Sequence, residues 1–485
     1  MKILQIFTLF CLFVNLSSAL PTANCDYFYK RNFEYSCDLA ITNPDGFDNF
    51  TAITGQHLPN RSNDDVVELT VYHPSVTANV PQIICSQFQN LLKLEISAKV
   101  KFIDGNSFSG CEKLQQIEMF FNNFHEFSEN AFVKNKELTS VTIVYNIIVD
   151  IPQNLFKNQA KIKILDLSNN LLKNVHKKAF EHLSSLEVLS LAENDLIEVE
   201  KKWFEGLTNL KSLNIQSNEF RTLNADVFDQ LTNLEVLGMS NNQFTSFHKN
   251  SFSNLSNLKV LSMSNNFLTE LAPKWFENLQ YLEYLYAANL NVSSVAENTF
   301  QALKNLKHLD ISNNKLTNLP SKLFQNLQNL EYLAFNDNLV DFLPSNIFTS
   351  LTNLQDLNLN NNIITILNSN QFGKLQKLES VSVKSNKVMA IDEQLMDNSG
   401  AAMFWLDGNL CADGKFINSS PGLKDDLRKC FENFEVLDWL ILSASLCVIV
   451  HLVMCCHQNF VQAVKLKNQE KFLKIYWQSF KLMDF

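Results

Sequence analysis

Residues that break or join domains are scarce in this chain: 485 residues include only 11 glycines and 10 prolines. No Ser/Gly-rich or Pro-rich stretch marks an internal linker. The length would ordinarily suggest roughly two or three globular domains, and this scarcity argues against them. Basic excess is missing as well. A net charge of −10 leaves no positive field for nucleic acid. The chain has no G-x-S-x-G, no H-E-x-x-H, no G-x-x-x-x-G-K-[ST] and no Gly-rich nucleotide loop, so it reads as no enzyme and no cofactor is expected. No C-x-x-C pair with a suitably spaced histidine offers a zinc site, and no metal is expected either.

Phenylalanine is in excess, with 39 residues. The excess is explained by an internal period, the first thing to look for in a long chain. Twelve repeat starts run from Leu114 to Leu378 in unbroken 24-residue register. Each opens the template L-x-x-L-x-L-x-x-N-x-L, as in Leu306, Leu309, Ile311, Asn314 and Leu316. Degenerate copies near Val66 and Leu91, and at residues 401–406, extend the array to about fifteen coils. The L-x-L alternation is the period of a strand with one buried face. So short a strand cannot bury that face alone, so neighbouring coils stack. The ninth-position asparagines, from Asn122 through Asn218 to Asn409, have donors and acceptors to satisfy the backbone where each strand turns away. The phenylalanines from Phe108 to Phe372 recur at the same interval and form a spine in the core. One repeat departs from the pattern: Leu290 takes the asparagine position, between Asn289 and Asn291.

This template, with a phenylalanine in every coil, resembles the extracellular 24-residue class of leucine-rich repeats. That class includes Toll-type receptor ectodomains, chaoptin and connectin, and insect leucine-rich-repeat immune proteins. The match covers roughly residues 66–411. The resemblance implies an α/β solenoid: a right-handed leucine-rich-repeat horseshoe with a parallel β-sheet on its concave face and disulfide caps. Its C-terminal cap has two cysteines where many members have four, which is closer to the insect immune group.

The ends of the chain point to the secretory route. Residues 1–19 read as a signal peptide, with Lys2, an apolar run and cleavage after Ala19. Residues 20–65 form an N-terminal cap, 66–411 the repeat array and 411–435 a C-terminal cap and stalk. Outside the apolar ends, Cys25, Cys37, Cys85, Cys111, Cys411 and Cys430 form an even set of six. Their pairing is open from sequence. Proximity favours Cys25–Cys37, Cys85–Cys111 and Cys411–Cys430. Residues 436–456 are apolar enough for one transmembrane helix. Lysines dominate the 457–485 segment that follows, so that short tail is placed in the cytoplasm, in a single-pass type I arrangement. Sequons at Asn49, Asn60, Asn254, Asn291 and Asn418 mark glycosylation positions.

Outward strand positions would form the binding surface of such an array. Two aromatic clusters stand out there: Phe120, Phe121, Val144 and Tyr145 on early coils, and Tyr284, Tyr286, His308 and Tyr332 on later ones. Aromatic anchors dominate interface hot spots. Outward carboxylates such as Asp166, Glu193, Asp310, Asp337 and Asp356 read as a solvated face. The sequence thus points to a non-enzymatic cell-surface recognition protein that binds a protein or glycan partner through the repeat array, in adhesion, as a co-receptor or in immune recognition. The alternatives are a secreted soluble immune factor or a matrix component, and homo- or hetero-dimerisation stays open.

Overall fold

The computed structural model describes residues 22–30, 34–40, 52–72, 80, 82–98, 100–398, 401, 403–417 and 427–433. The signal peptide at 1–19, the apolar span at 436–456, the tail at 457–485, and Asn49 and Asn418 lie outside the described residues. Among the described residues no helix is long and apolar enough to cross a membrane. Two compact units divide the array, one running to Lys315 with Asn326–Leu330, the other Leu316–Gln325 with the chain from Glu331 onward.

In the first unit each coil contributes one strand to a parallel sheet. The strands Glu68–Tyr72, Lys93–Ser97, Gln116–Phe120 and Ser140–Val144 have five residues each. From Ile164–Asp166 onward they have three. Register is strict: Leu165 pairs with Leu189, Leu189 with Leu213, and Leu213 with Leu237. These leucines are wholly buried. In the second unit the strands Tyr332–Ala334, Asp356–Asn358, Ser380–Ser382 and Met403–Trp405 continue the same parallel pattern. Lys415–Ile417 turns back antiparallel onto Met403–Trp405 and so closes that edge.

The side of each coil opposite the sheet is built mostly from turns. Short two-stranded ladders such as Asp150–Ile151 with Asn174–Val175 run along it. Among the described residues, α-helix is confined to short pieces: Gln82–Gln87, Pro273–Phe276, Ser369–Phe372 and Glu393–Asn398. The fold is therefore a β-solenoid of stacked coils, and the expected α component is corrected to turns. The short ladder strand interrupts each coil that has one, as Asn174–Val175 does between Asp166 and Val188, and the residues around Phe180 are spent in turns.

The phenylalanine spine is present. Phe108, Phe132, Phe156, Phe180, Phe204, Phe228, Phe252, Phe276 and Phe300 are buried in the first unit and Phe324, Phe348 and Phe372 in the second. Neighbouring rings lie 5.9 Å apart at Phe108–Phe132, 6.1 Å at Phe132–Phe156 and 6.3 Å at Phe324–Phe348. The asparagine ladder is equally regular. Asn218 Nδ2 donates to the carbonyls of Leu191 at 2.9 Å, Ile215 at 3.3 Å and Gln216 at 3.2 Å, and its Oδ1 accepts from Leu196 N at 3.0 Å. One amide thus ties two coils together in the dry interior, where unmade bonds are costly. At Leu290, which cannot do this, Asn289 Nδ2 bonds Asn265 Oδ1 at 2.6 Å and Ser264 Oγ accepts from Ala288 N at 3.0 Å. The sheet keeps register on both sides of that coil.

Over seven consecutive coils the second position carries a charge that changes sign from coil to coil: Lys163, Glu187, Lys211, Glu235, Lys259, Glu283 and Lys307. Ion pairs link Lys163 and Lys211 to Glu187 at 3.3 and 2.8 Å, Lys259 to Glu235 at 2.7 Å and Lys307 to Glu283 at 2.7 Å.

At the start of the array Thr22–Tyr29 and Tyr35–Ala40 form an antiparallel pair, joined by the Cys25–Cys37 disulfide. Tyr35–Ala40 then lies parallel on Glu68–Tyr72, so the first coil has no open sheet edge. Tyr27 donates to Asn63 Oδ1 at 2.8 Å, and burial pushes its hydroxyl up to about 12. The Cys85–Cys111 disulfide ties Gln82–Gln87 to the next coil, and Cys411–Cys430 closes the other end.

Candidate recognition surface

The residue just before each ladder asparagine has a left-handed backbone. In the first unit this column runs Phe121, Tyr145, Asn169, Glu193, Ser217, Asn241, Asn265, Asn289 and Asn313, with φ between 50° and 56° throughout. Asp337, Asn361 and Ser385 continue it in the second unit. Asparagine suits this conformation because its short polar side chain bonds locally. Bulky side chains are rarely found there. Phe121 and Tyr145 are the exceptions, and both face solvent, at 67% and 49% exposure. Their rings stack at 4.6 Å with an interplanar angle of 11°. The ladder is incomplete at the same coil. Asn146 Oδ1 is buried without a partner, and Asn170 Oδ1 reaches Ile148 N only at 3.4 Å. Backbone strain of this kind collects at functional sites.

The other predicted residues fall as follows. Phe120 is half-buried on the open face, directly opposite Val144. Val144 is only 6% exposed, which removes it from the exposed cluster. It keeps the outward face, opposite Phe120, but neighbouring groups cover it there. Tyr284 is exposed and Tyr286 half-buried on one strand. His308 stands opposite Tyr284, with ring distances of 6.2 Å to Tyr284 and 4.9 Å to Tyr286. Burial lowers the His308 pKa and outweighs the opposing pull of Asp310, which favours a neutral ring at neutral pH. Tyr332 is half-buried in the second unit, on its own strand Tyr332–Ala334. Asn60 and Asn254 are exposed and Asn291 half-buried.

Several outward carboxylates have structural work. Asp166 Oδ1 accepts from Ser168 N at 2.9 Å and Asp310 Oδ1 from Ser312 N at 3.0 Å, closing local turns. Glu193 and Asp337 belong to the left-handed column and not to the strands. Among the described residues no grouping of His, Cys, Asp and Glu is placed to hold a metal ion.

A row of acidic residues went unnoticed in the sequence. Across successive strands of the first unit the pairing runs Asp26, Asp38, Thr70, Glu95, Glu118, Thr142, Asp166. Asp26 lies directly opposite Asp38, and Glu95 directly opposite Glu118. Like charges placed so destabilise a sheet. Desolvation raises the Glu95 pKa, and the Glu118 carboxylate raises it further. Asp38 is raised by burial as well, with Asp26 and Glu68 adding to it. Lys93 bridges Glu118 at 3.0 Å and Glu68 at 3.6 Å, while Lys30 holds Glu68 at 2.6 Å.

Replacing both Phe121 and Tyr145 by asparagine, the residue this column prefers, tests whether the aromatic pair serves the fold. Loss of the stack costs about 0.5–1.5 kcal/mol. Relief of the strain returns about 1–2 kcal/mol per residue. The denaturation midpoint is expected to hold or rise. A loss beyond about 1 kcal/mol would show that the pair is structural.

Leucine rich repeat family signatures match residues 136–196, 186–244 and 237–292, and a BspA type leucine rich repeat region matches residues 269–401. Together they run from 136 to 401, more than half of the chain. Among curated proteins no sequence matches. Three solved structures show the likeness of fold. A leucine-rich-repeat protein of Leptospira interrogans is 24% identical over 78% of this chain and 91% of that one, with a TM-score of 0.64. Drosophila Toll, in its complex with Spatzle, is 19% identical over 75% of this chain and 54% of that one, with a TM-score of 0.62. The APL1 leucine-rich-repeat domain is 20% identical over 85% and 92%, with a TM-score of 0.56. The chain is a member of the leucine-rich-repeat family, with a fold similar to that of Toll ectodomains.

Proposed function

We propose that this chain is a non-enzymatic recognition protein that acts outside the cell and binds a partner protein. Binding would use the open face of its sheet and the edge where the strands end. The observation that carries this reading is the Phe121–Tyr145 pair: exposed and stacked, at backbone positions where the array elsewhere prefers small polar residues. Large apolar rings held in strain and left in water are hard to explain as scaffold. Tyr284, Tyr286 and His308 supply a second aromatic surface on the same unit, and Tyr332 is a further candidate on the other. The similarity to Toll, whose structure was solved with Spatzle, supports a protein partner. Three disulfides fit an oxidising compartment.

The apolar run at 436–456 and the lysines after it would hold the protein at the cell surface as a single-pass type I anchor, giving an adhesion molecule, co-receptor or immune receptor. Fractionation of tagged full-length chain and of a truncation after Glu435 tests this. With an anchor, the full chain stays on washed membranes with its N-terminal part open to surface label, and the truncation appears in the medium. If both forms are equally soluble, there is no anchor, and a secreted factor is the better reading.

A further inference from the structure

We propose that the first coils of the array carry a docking site for a protein segment presenting a lysine or arginine beside an apolar side chain. This rests on the reading that the chain binds a protein partner, and it specifies where and with what chemistry. Phe121 and Tyr145 form the apolar half. Exposed Ile147 follows in the same coil. Exposed Leu171 lies one coil on, its N–H donating to the carbonyl of Ile148 at 3.0 Å. This makes an apolar edge across three consecutive coils.

Charge decides what covers that edge. Phe120, the residue before Phe121, faces the same side of its strand as Glu118, two residues earlier. Outward residues so spaced stand about 7 Å apart. A carboxylate row therefore runs parallel to the aromatic edge. Around it stand Asp26, Asp38, Glu68, Glu95, Glu118 and Asp166, offset by Lys30 and Lys93, so acids outnumber bases by six to two. The five-residue strands of these coils give the face enough width for both features. A second copy of this chain would bring the same acidic row and a net charge of −10. An anionic lipid surface would be repelled in the same way. A cationic protein segment satisfies both halves: its ammonium or guanidinium relieves the opposed Glu95 and Glu118, and its apolar neighbour covers Phe121 and Tyr145.

The test uses full-length chain immobilised on a sensor and a short amphipathic peptide of lysines and leucines. The same peptide with glutamates for the lysines, and polylysine, serve as controls. The lysine–leucine peptide is expected to bind, and the controls to bind much more weakly. Phe121→Asn with Tyr145→Asn should weaken it about tenfold. Glu95→Gln with Glu118→Gln should also weaken it about tenfold at low salt, while the thermal midpoint holds or rises because the opposed charges are gone. That opposition of sign separates a binding role from a structural one. If the aromatic variants weaken binding and the glutamine variants do not, the cationic assignment is overturned and the protein-binding reading stands. If neither pair of variants has an effect, or the glutamate peptide binds as well, both fail at this surface. Polylysine binding equally tightly would overturn the apolar half.

Discussion

Phe228→Ala is expected to destabilise the array by about 3–5 kcal/mol, enough to make a marginal solenoid open at that coil. The ring is buried, with Phe204 at 5.9 Å on one side and Phe252 at 6.5 Å on the other. Truncation removes its own burial and strips contact from both neighbours, because close-packed interiors relax only partly. In a solenoid each coil touches only its neighbours, so one failed interface divides the unit in two. Urea unfolding, read by circular dichroism alongside limited proteolysis, should show a lower midpoint and new cleavage near the coil. Phe228→Leu, which keeps most of the volume, should lose much less. If the alanine variant unfolds at the midpoint of the unsubstituted chain, the spine carries little of the stability.

Asn218→Ala should cost about 3 kcal/mol through a different route. The cavity is small, and the three carbonyls each keep a second donor, from Asn194 Nδ2, Asn242 Nδ2 and Glu193 N, but Leu196 N loses the acceptor that Asn218 Oδ1 supplies. That N–H is buried, and an unmade bond costs more there than the made bond contributes. Hydrogen exchange is the sensitive readout: the amide of Leu196 should exchange much faster in the variant. At Leu290 the natural chain does without this amide, and Asn289 and Ser264 bond the adjoining coils close by. Ser217 sits at the corresponding place in the Asn218 coil and is too short to repeat the Asn289 bond. An unchanged exchange rate at Leu196 would show that water or backbone adjustment replaces the amide.

The stacked coils were readable because 24-residue spacing fixes which residues meet: any two at that separation become neighbours. Spine, ladder and strand leucines all follow from that one number, and the three disulfides join cysteines that are also close in sequence. The left-handed column left a trace too, in the asparagine pairs at 169–170, 241–242, 265–266, 313–314 and 361–362. Phe121 and Tyr145 are informative because they break it. The acidic row was illegible. Asp26 and Asp38 come from an antiparallel pair outside the repeat, and Glu95 and Glu118 from early coils whose spacing drifts from 24. Only the folded register brings them opposite one another. Val144 was counted as exposed because the period tells which face a residue takes but not how far its neighbours cover it.

The alternating lysines and glutamates between Lys163 and Lys307 bear on how this protein can be inherited and rebuilt. Loss of the single coil that carries Glu187 would set Lys163 beside Lys211, and loss of the one that carries Lys211 would set Glu187 beside Glu235. Gain of one coil would make the same kind of clash. Losing or gaining two coils together restores the order of signs. Along this stretch the fold's period is one coil, but the period that can be copied without a fault is two. Lengthening or shortening of the array, in a gene or at the bench, should therefore proceed by even numbers.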